Sequence, residues 1–286
     1  MNPRRRTLTA LAHRRAHRAA PPCPGRGAVA FARPGGQAED MSTILVTGGT
    51  GTLGRPVCER LRADGHEVRV LSRHSPPYAV DLRQGGPLLD RAVDGVDAVV
   101  HCSNILRGDK EAARLLIEAA RRAGVPHLLY ISIVGVDRIP LGYYRTKYAV
   151  EGMIRASGIP WTLLRTTQFH DLVLRLLQGL AKPPVMLLPK DVRDQPLEVT
   201  EAAARLAELA AGPPAGRVED MGGPEILTFT ELAHAWLRAT GRRRRLVEVP
   251  LPGRVYQGLR HGRHLAPERT VGRVTFEEFL ARRSAP

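Results

Sequence analysis

The chain has 286 residues, of which 43% are hydrophobic and 25% are charged, and its formal net charge is +15. This length is enough for one α/β core with a smaller appended lobe, and the composition is typical of a globular protein. No apolar run reaches the roughly 18 residues that a membrane-spanning helix needs. The cysteines Cys23, Cys58 and Cys102 are too far apart for a disulfide framework or a zinc spacing. We therefore expect a soluble, cytoplasmic protein without a bound metal.

The excess of basic residues is not arranged as a stripe. Residues 1–40 contain eight Arg and two acidic residues, a net of +6, which leaves +9 for the rest of the chain. The remaining Arg residues are scattered, and the run at 242–245 is typical of a solvated loop. A nucleic-acid partner is therefore disfavoured, although a positive field would suit a ligand that carries phosphates.

Residues 1–40 have no periodic apolar positions and are rich in Arg, Ala, Pro and Gly. Such a segment cannot bury enough apolar surface to fold, so we expect a disordered basic leader. It has neither the apolar segment of a secretion signal nor the clear amphipathic stripe of a transit peptide. Because Met41 begins a segment that resembles a natural protein start, MSTILVTGG, the leader is equally consistent with an over-extended reading frame.

From Met41 onwards, short β-rich apolar runs alternate with amphipathic helical stretches. This alternation predicts an α/β fold of the Rossmann type, a doubly wound parallel sheet with helices on both faces. The strands are predicted at residues 43–47, 67–72, 78–81, 97–101, 127–132 and 161–165. The clearest helix is predicted at residues 109–123, where Gly124 and Pro126 end it.

After about residue 180 the pattern changes to Pro-rich loops and helices. We expect helices at 200–211 and near 228–240, the second opened by a T-x-x-E capping box of Thr228 and Glu231. The sequence therefore predicts a Rossmann domain over residues 41–180 and a smaller C-terminal substrate lobe of helices and loops over residues 181–286. In a doubly wound fold such a lobe covers the carboxyl ends of the strands, so substrate choice is expected to reside there.

A glycine-rich loop, TGGTGTLG at residues 47–54, follows the first predicted strand and opens the first predicted helix. Gly48 permits a tight turn, Gly51 lets the backbone approach a diphosphate, and Gly54 lets the helix pack closely on the strand. Backbone amides at the helix N-terminus would hold the anion. The sequence therefore predicts a dinucleotide site that begins with Gly48, Thr50, Gly51, Thr52, Leu53 and Gly54.

The second predicted strand ends near Arg73, where an NAD-binding domain usually has an acidic residue for the ribose hydroxyls. A guanidinium at this place can stack on adenine and pair with the 2′-phosphate of NADP. Asp81 and Leu82 end the third strand at the expected adenine edge, although Asp81 is equally typical of a turn. We therefore predict NADP as the cofactor, with NAD as the alternative.

Tyr143 and Lys147 are four residues apart at the start of a predicted helix, so their side chains share one face. A neighbouring ammonium would lower the pKa of the tyrosine and let the phenol exchange a proton with a carbonyl or an alcohol. Ser132, at the end of the fifth strand, could polarise the same carbonyl. We predict Tyr143, Lys147 and Ser132 as catalytic residues and Lys147 also as a ligand of the nicotinamide ribose. The alternative is an ordinary helix face on which Tyr143 only packs.

Six residues, five of them polar, follow the fourth and sixth predicted strands, whose carboxyl ends lie near the glycine loop in a Rossmann topology. They are expected to line the nicotinamide pocket, and they are Ser103, Asn104, Thr166, Thr167, Gln168 and Phe169.

Five motifs together resemble the atypical short-chain dehydrogenase/reductases of the NmrA-like group, which are also similar to the nucleotide-binding accessory subunit of respiratory complex I. They are TGGTGTLG, VRVLSR, HLLYISIVGVD, YYRTKYAVE and WTLLRTTQFHDL, in this order between residues 41 and about 250. The resemblance implies a Rossmann fold that binds NAD(P), and it places the group's Tyr, Lys and strand-end Ser on Tyr143, Lys147 and Ser132. The group includes NADPH-dependent reductases of quinones, azo dyes and activated double bonds, and also redox sensors that bind dinucleotide without known catalysis.

Three functions fit these features. The favoured one is an NAD(P)H-dependent oxidoreductase that reduces a small quinone, carbonyl or activated double bond, with Tyr143 as proton donor. The second is an NADP-sensing regulatory or scaffold protein, in which the dinucleotide stabilises a conformation that a partner binds. The third is an NAD-dependent sugar-nucleotide epimerase or dehydratase, which would use the same Tyr/Lys pair but is disfavoured by Arg73 and by the modest size of the C-terminal lobe.

Overall fold

The structure, a computed structural model, describes residues 41–104 and 108–284, so the basic leader predicted for residues 1–40 lies outside the described residues. The strands of this part are β1 Thr43–Thr47, β2 Glu67–Ser72, β3 Tyr78–Ala79, β4 Ala98–His101, β5 Leu128–Ile133, β6 Trp161–Thr166, β7 Val185–Pro189, β8 Arg193–Asp194, β9 Gly216–Arg217, β10 Leu227–Thr228 and β11 Arg245–Val249. The helices are α1 Gly54–Ala63, α2 Pro87–Val93, α3 Asp109–Arg122, α4 Gly142–Arg155, α5 His170–Leu180, α6 Val199–Ala211, α7 Phe229–Thr240, α8 Arg254–Arg260 and α9 Phe276–Ser284. No helix in the described ranges has the length and apolar character to cross a membrane.

Seven strands form one sheet in the order β3-β2-β1-β4-β5-β6-β9, and every neighbouring pair in it is parallel. The chain runs outwards from β1 through β2 to β3 and then returns to the other side of β1 to form β4. This reversal is the topological switch point of a doubly wound fold, the place where ligands bind beside the carboxyl ends of the strands. The Rossmann-type fold predicted from the sequence is confirmed.

Buried residues alternate between the two faces of the sheet, as the pleat of a strand requires. On one face Leu45 and Leu128 pack against helices α2, α3 and α4, for example at Leu116 of α3. On the other face Ile44 and Val46 pack against α1 and α6. Because both faces are covered, the central strands are buried along nearly their whole length and are rich in apolar residues, which is why they were recognisable in the sequence.

The predicted strands agree with the structure to within a residue or so, except that β3 ends at Ala79 and not at Asp81. The reason is the Asp81 side chain, whose Oδ1 accepts a hydrogen bond from the Arg83 amide at 3.0 Å and so begins a turn.

The chain after Leu180 contains more strand than the sequence pattern predicted. β7 pairs with β11, β8 pairs with β10, and β9 joins the main sheet beside β6. These strands were missed because several have only two residues and show no alternation. The capping box is confirmed, since the Thr228 hydroxyl accepts from the Glu231 amide and the Glu231 carboxylate accepts from the Thr228 amide.

Candidate active site

A cleft of about 900 Å³ lies at the carboxyl ends of β1, β2, β4, β5 and β6. The structure brings all the predicted site residues to this one cleft. Its walls include Gly48, Thr50, Gly51, Thr52, Leu53, Gly54, Arg73, Asp81, Leu82, Ser103, Asn104, Ser132, Tyr143, Lys147, Thr166, Thr167, Gln168 and Phe169. Which of them contact a cofactor or a substrate stays a prediction.

The glycine loop crosses from β1 to α1 in a form that requires glycine at two positions. Gly48 has a φ of +68°, and a Cβ there would lie 2.8 Å from the Cα atom of Ser103. A Cβ on Gly54 would lie 2.2 Å from the carbonyl oxygen of Gly48. Within the described ranges the amides of Thr52 and Leu53 donate no hydrogen bond, and the first turn of α1 contains no acidic residue. The loop therefore offers free amides and the positive end of a helix to an anion such as a diphosphate.

At the outer end of the cleft Arg73 follows β2 with its side chain exposed. It makes no hydrogen bond or ion pair with the rest of the described chain, so its guanidinium is available to a ligand. Asp81 is engaged instead, because Nη2 of Arg83 lies 2.6 Å from its Oδ2. This hydrogen bond is the main reason why the pKa of Asp81 falls to about 2. The Asp81 carboxylate thus begins a turn and has Arg83 as its counter-ion.

Tyr143 and Lys147 share one face of α4, as predicted, and the Lys147 ammonium lies 5.9 Å from the centre of the Tyr143 ring. The pKa of Tyr143 is raised to about 12, mainly by burial and further by the charge of Asp109, while a hydrogen bond with the Asn104 side chain opposes the shift. The sequence-based expectation that Lys147 lowers this pKa is therefore wrong. Burial and the Asp109 charge raise this pKa, and Tyr143 carries its proton at neutral pH.

Lys147 has a counter-ion that no pattern in the sequence indicated. Its Nζ lies 3.5 Å from Oδ2 of Asp109, the first residue of α3, and both side chains are buried. Burial lowers the pKa of Lys147, whereas Asp109 raises it. Nothing in the sequence distinguished Asp109 from the acidic residues that commonly open a helix.

Behind this pair lies a small set of buried polar rings. The Lys147 ammonium is 5.1 Å from the centre of the Tyr130 ring, and that ring stacks on His101 with centroids 5.4 Å apart. Nδ1 of His101 is hydrogen-bonded to the Thr47 hydroxyl at 2.7 Å. Burial lowers the pKa of His101 to about 3, so its imidazole is neutral.

Ser132 is buried at the end of β5 and lines the cleft, and its hydroxyl oxygen has no hydrogen-bond partner in the described part of the chain. A buried hydroxyl without a partner is costly, so this atom is suited to a bound polar group. Thr167 differs, because its hydroxyl accepts a hydrogen bond from the Gly223 amide at 3.3 Å. Ser103 is fixed through its backbone, whose amide donates to the Thr47 hydroxyl at 3.3 Å.

The far wall of the cleft belongs to α5, a helix that was not predicted to be part of the site. Asp171, Leu172 and Arg175 line it, and no described residue beyond Arg175 does. The expectation that residues 181–286 choose the substrate stays a prediction. Some of these residues contact residues that line the cleft, since the Gly223 amide donates to the Thr167 hydroxyl and Arg283 pairs with Asp171, and α7, α9 and β7 pack on the buried face of α5.

The fold and the cleft define a Rossmann protein with a dinucleotide-type glycine loop, and the comparisons with known proteins agree. Residues 48–172 match the NAD(P)H-binding family. The chain is 32% identical over 229 residues to (4-alkanoyl-5-oxo-2,5-dihydrofuran-3-yl)methyl phosphate reductase of Streptomyces griseus, covering 72% of this chain and 77% of that protein. It is 26% identical over 216 residues to quinone oxidoreductase 2 of Escherichia coli, covering 70% and 75%.

A similar solved structure is that of the Escherichia coli NADPH-dependent quinone oxidoreductase complexed with NADPH. It superposes with a TM-score of 0.67 at 22% identity and covers 84% of this chain and 99% of its own. This likeness shows the same fold. The chain belongs to the NAD(P)H-binding oxidoreductases of the atypical, NmrA-like short-chain dehydrogenase/reductase family.

Proposed function

We propose that this protein is an NADPH-dependent reductase of a small quinone, carbonyl or activated double bond. The observation that carries the proposal is the meeting of three features in one cleft: the glycine loop, the unpaired Arg73, and the set Tyr143, Lys147 and Ser132. A dinucleotide site alone would serve a sensor equally well. A reduction also needs a proton donor and a group that stabilises a negative oxygen, and the half-buried Tyr143 phenol and the unpartnered Ser132 hydroxyl in the same cleft are suited to these two tasks.

The described residues fit NADP. The free amides of Thr52 and Leu53 would hold the diphosphate, and the guanidinium of Arg73 would pair with the 2′-phosphate. Leu82 would pack at the adenine edge, while Ser103, Asn104, Thr167 and Phe169 would line the nicotinamide end. When bound, NADPH supplies the hydride. Arg73 is also the reason to disfavour an NAD-dependent sugar-nucleotide epimerase, which would need an acidic residue for the ribose.

The protein's own part in the reduction is to provide a proton and to stabilise an oxygen that becomes negative. Because the pKa of Tyr143 is about 12, its phenol holds a proton that it can donate to that oxygen. The Ser132 hydroxyl would donate a hydrogen bond to the same oxygen. The positive charge of Lys147 would favour the phenolate that remains after the transfer, and its ammonium would also contact the nicotinamide ribose.

The walls of the cleft support a conjugated, largely apolar acceptor. Ile131, Ile133, Phe169 and Leu172 provide apolar contacts beside the predicted catalytic residues. The names of the relatives include reductases that act on a quinone and on an unsaturated lactone phosphate, and acceptors of these kinds fit the proposed chemistry. We also propose a reducing, cytoplasmic setting, in agreement with the free thiols of Cys58 and Cys102.

The test is to follow NADPH and NADH consumption by the full chain with a panel of quinones, enones and azo compounds. We expect at least one acceptor to be reduced faster with NADPH than with NADH. If both nucleotides bind but no acceptor consumes either, the catalytic proposal is wrong and the dinucleotide-sensing function takes its place. If neither nucleotide binds, the assignment of the cleft itself is wrong.

A further inference from the structure

Arg175 is an exposed cation on α5 that lines the cleft and makes no hydrogen bond or ion pair with any other described residue. An arginine at the surface usually remains in solvent and needs no explanation. An arginine that lines a ligand cleft without a counter-ion is different, because its guanidinium can bind an anion without first breaking an existing ion pair. Arg175 therefore has the properties of a ligand contact.

The other charges of the cleft are already compensated, apart from Arg73. Oδ1 of Asp171, one turn before Arg175, lies 2.5 Å from Nη2 of Arg283 on α9. Asp81 is paired with Arg83 in the same way. Lys147 has Asp109 as its partner. Arg73 and Arg175 are thus the two guanidinium groups of the described cleft whose charge is free for a ligand.

These two arginines lie at opposite ends of the cleft. Arg73 follows β2, which is on one side of β1, whereas α5 follows β6, which lies beyond β4 and β5 on the other side. A dinucleotide in a Rossmann fold extends across this switch point, with its adenine over β2 and its nicotinamide towards the far strands. Arg73 is therefore at the adenine end and Arg175 is beyond the nicotinamide end, where the acceptor would lie.

We propose that the acceptor of this reductase carries a carboxylate or phosphate group, and that Arg175 is the residue that binds it. The inference rests on the proposed function for the location of the acceptor. A planar guanidinium can hold either anion through two parallel hydrogen bonds, which orients the acceptor as well as retaining it. Leu172, 36% exposed and three residues before Arg175 on the same helix, would contact the apolar part of the same molecule.

The test measures binding and not turnover, so that its outcome is separate from that of the reductase assay. Benzoate, phenyl phosphate and the neutral benzamide are titrated calorimetrically into the full chain at constant ionic strength, with and without saturating NADP⁺. The variants are R175Q, the charge-preserving R175K, and R121Q as the matched control. Arg121 is also an exposed helical arginine without an ion pair among the described residues, but it does not line the cleft.

We expect the two anions to bind the NADP⁺ complex about tenfold more tightly than benzamide, which corresponds to one charge-assisted contact that is partly solvated. R175Q should remove this preference, R175K should keep part of it, and R121Q should keep it fully. Equal affinity for benzoate and benzamide, or an unchanged preference in R175Q, would overturn the proposal. A loss of NADP⁺ affinity in R175Q would overturn it too, because Arg175 would then belong to the cofactor site. A chain that shows the preference but reduces no acceptor would contradict the proposed function and leave the anion site standing.

Discussion

The ammonium nitrogen of Lys147 lies 3.5 Å from Oδ2 of Asp109, and their side chains are 5% and 1% exposed. The pair joins the start of α3 to α4 directly beneath the Tyr143 ring. A buried ammonium without a counter-ion would lose its proton or destabilise the fold. Asp109 raises the pKa of Lys147 and so opposes the effect of burial, at the place where the proposed reduction needs a positive charge.

Removing the carboxylate of this pair should destabilise the protein. In D109N the Lys147 ammonium would be buried without compensation, so we expect the free energy of unfolding to fall by about 3 kcal/mol. Chemical denaturation measures this change. The double variant D109N/K147M should recover most of the loss, because it removes the unpaired charge. A D109N chain as stable as the wild type would show that the pair does not hold the two helices together.

His101 gives the stability a specific pH dependence. Its pKa falls from 6.5 to about 3 on folding, because the buried ring is desolvated. The unfolded chain therefore takes up a proton below pH 6.5 that the folded chain refuses until about pH 3. The free energy of unfolding should decrease as the pH falls through this window, by up to about 1.4 kcal/mol per pH unit for this one group.

The check is to compare the wild type with H101N by denaturation between pH 7 and pH 4, about the range in which this linkage acts. H101N should lose less stability on acidification, because the asparagine does not titrate. H234N, which changes an exposed histidine of α7, is the control. Parallel profiles for the wild type and H101N would contradict the assignment of His101 as a buried neutral ring.

Gly54 should not tolerate a side chain. In G54A the new Cβ would lie 2.2 Å from the Gly48 carbonyl oxygen, so the glycine loop must shift. We expect weaker NADPH binding, by about tenfold or more, because the loop amides lose their alignment. Fluorescence titration of NADPH measures the loss. G152A is the control, since a Cβ on Gly152 of α4 meets nothing within 4 Å, and alanine there should raise helix stability by roughly 0.5 to 1 kcal/mol. Normal NADPH binding by G54A would exclude the loop from the cofactor site.

Arg73 should determine the choice between the two nicotinamide cofactors. R73Q removes the guanidinium that would pair with the 2′-phosphate, so NADPH affinity should fall about tenfold or more while NADH affinity changes little. The ratio of the two dissociation constants, measured by fluorescence titration, reports the effect, and R121Q again serves as the control. If R73Q keeps the wild-type ratio of the NADPH and NADH dissociation constants, another residue binds the 2′-phosphate.

The order of the first six strands and the glycine loop could be predicted from the sequence, because each produces a pattern that has one physical cause. Continuous apolar strands alternate with helices only when both faces of a sheet are covered, so the order β1 to β6 was predictable. The glycine loop was predictable because each glycine has a steric cause: Gly48 has a positive φ and lies against the Ser103 backbone, and Gly54 brings α1 close to the Gly48 carbonyl.

The ion pairs of the site, the pKa of Tyr143 and the short strands depend on contacts between residues that are distant in the chain. A single sequence does not show such contacts. Asp109 is 38 positions from Lys147 in the chain, and Arg283 is 112 positions from Asp171. The effect of burial on Tyr143 could not be predicted either. The spacing to Lys147 indicated a lowered pKa, whereas the surrounding protein raises it. The short strands β8, β9 and β10 form because neighbouring segments hold them, and two residues carry no periodic signal.

The role of Tyr143 as proton donor is tested most directly by the rate of hydride transfer in Y143F. A single turnover of the NADPH complex with an accepted quinone or enone separates this step from binding, and Y148F, an exposed tyrosine on the same helix, is the matched control. We expect Y143F to transfer hydride about 10² to 10⁴ times more slowly than the wild type, because the proton donor is missing. NADPH should bind Y143F with unchanged affinity, and Y148F should react at the normal rate. Transfer by Y143F at the wild-type rate would contradict the assignment of Tyr143 as the acid and with it the proposed mechanism.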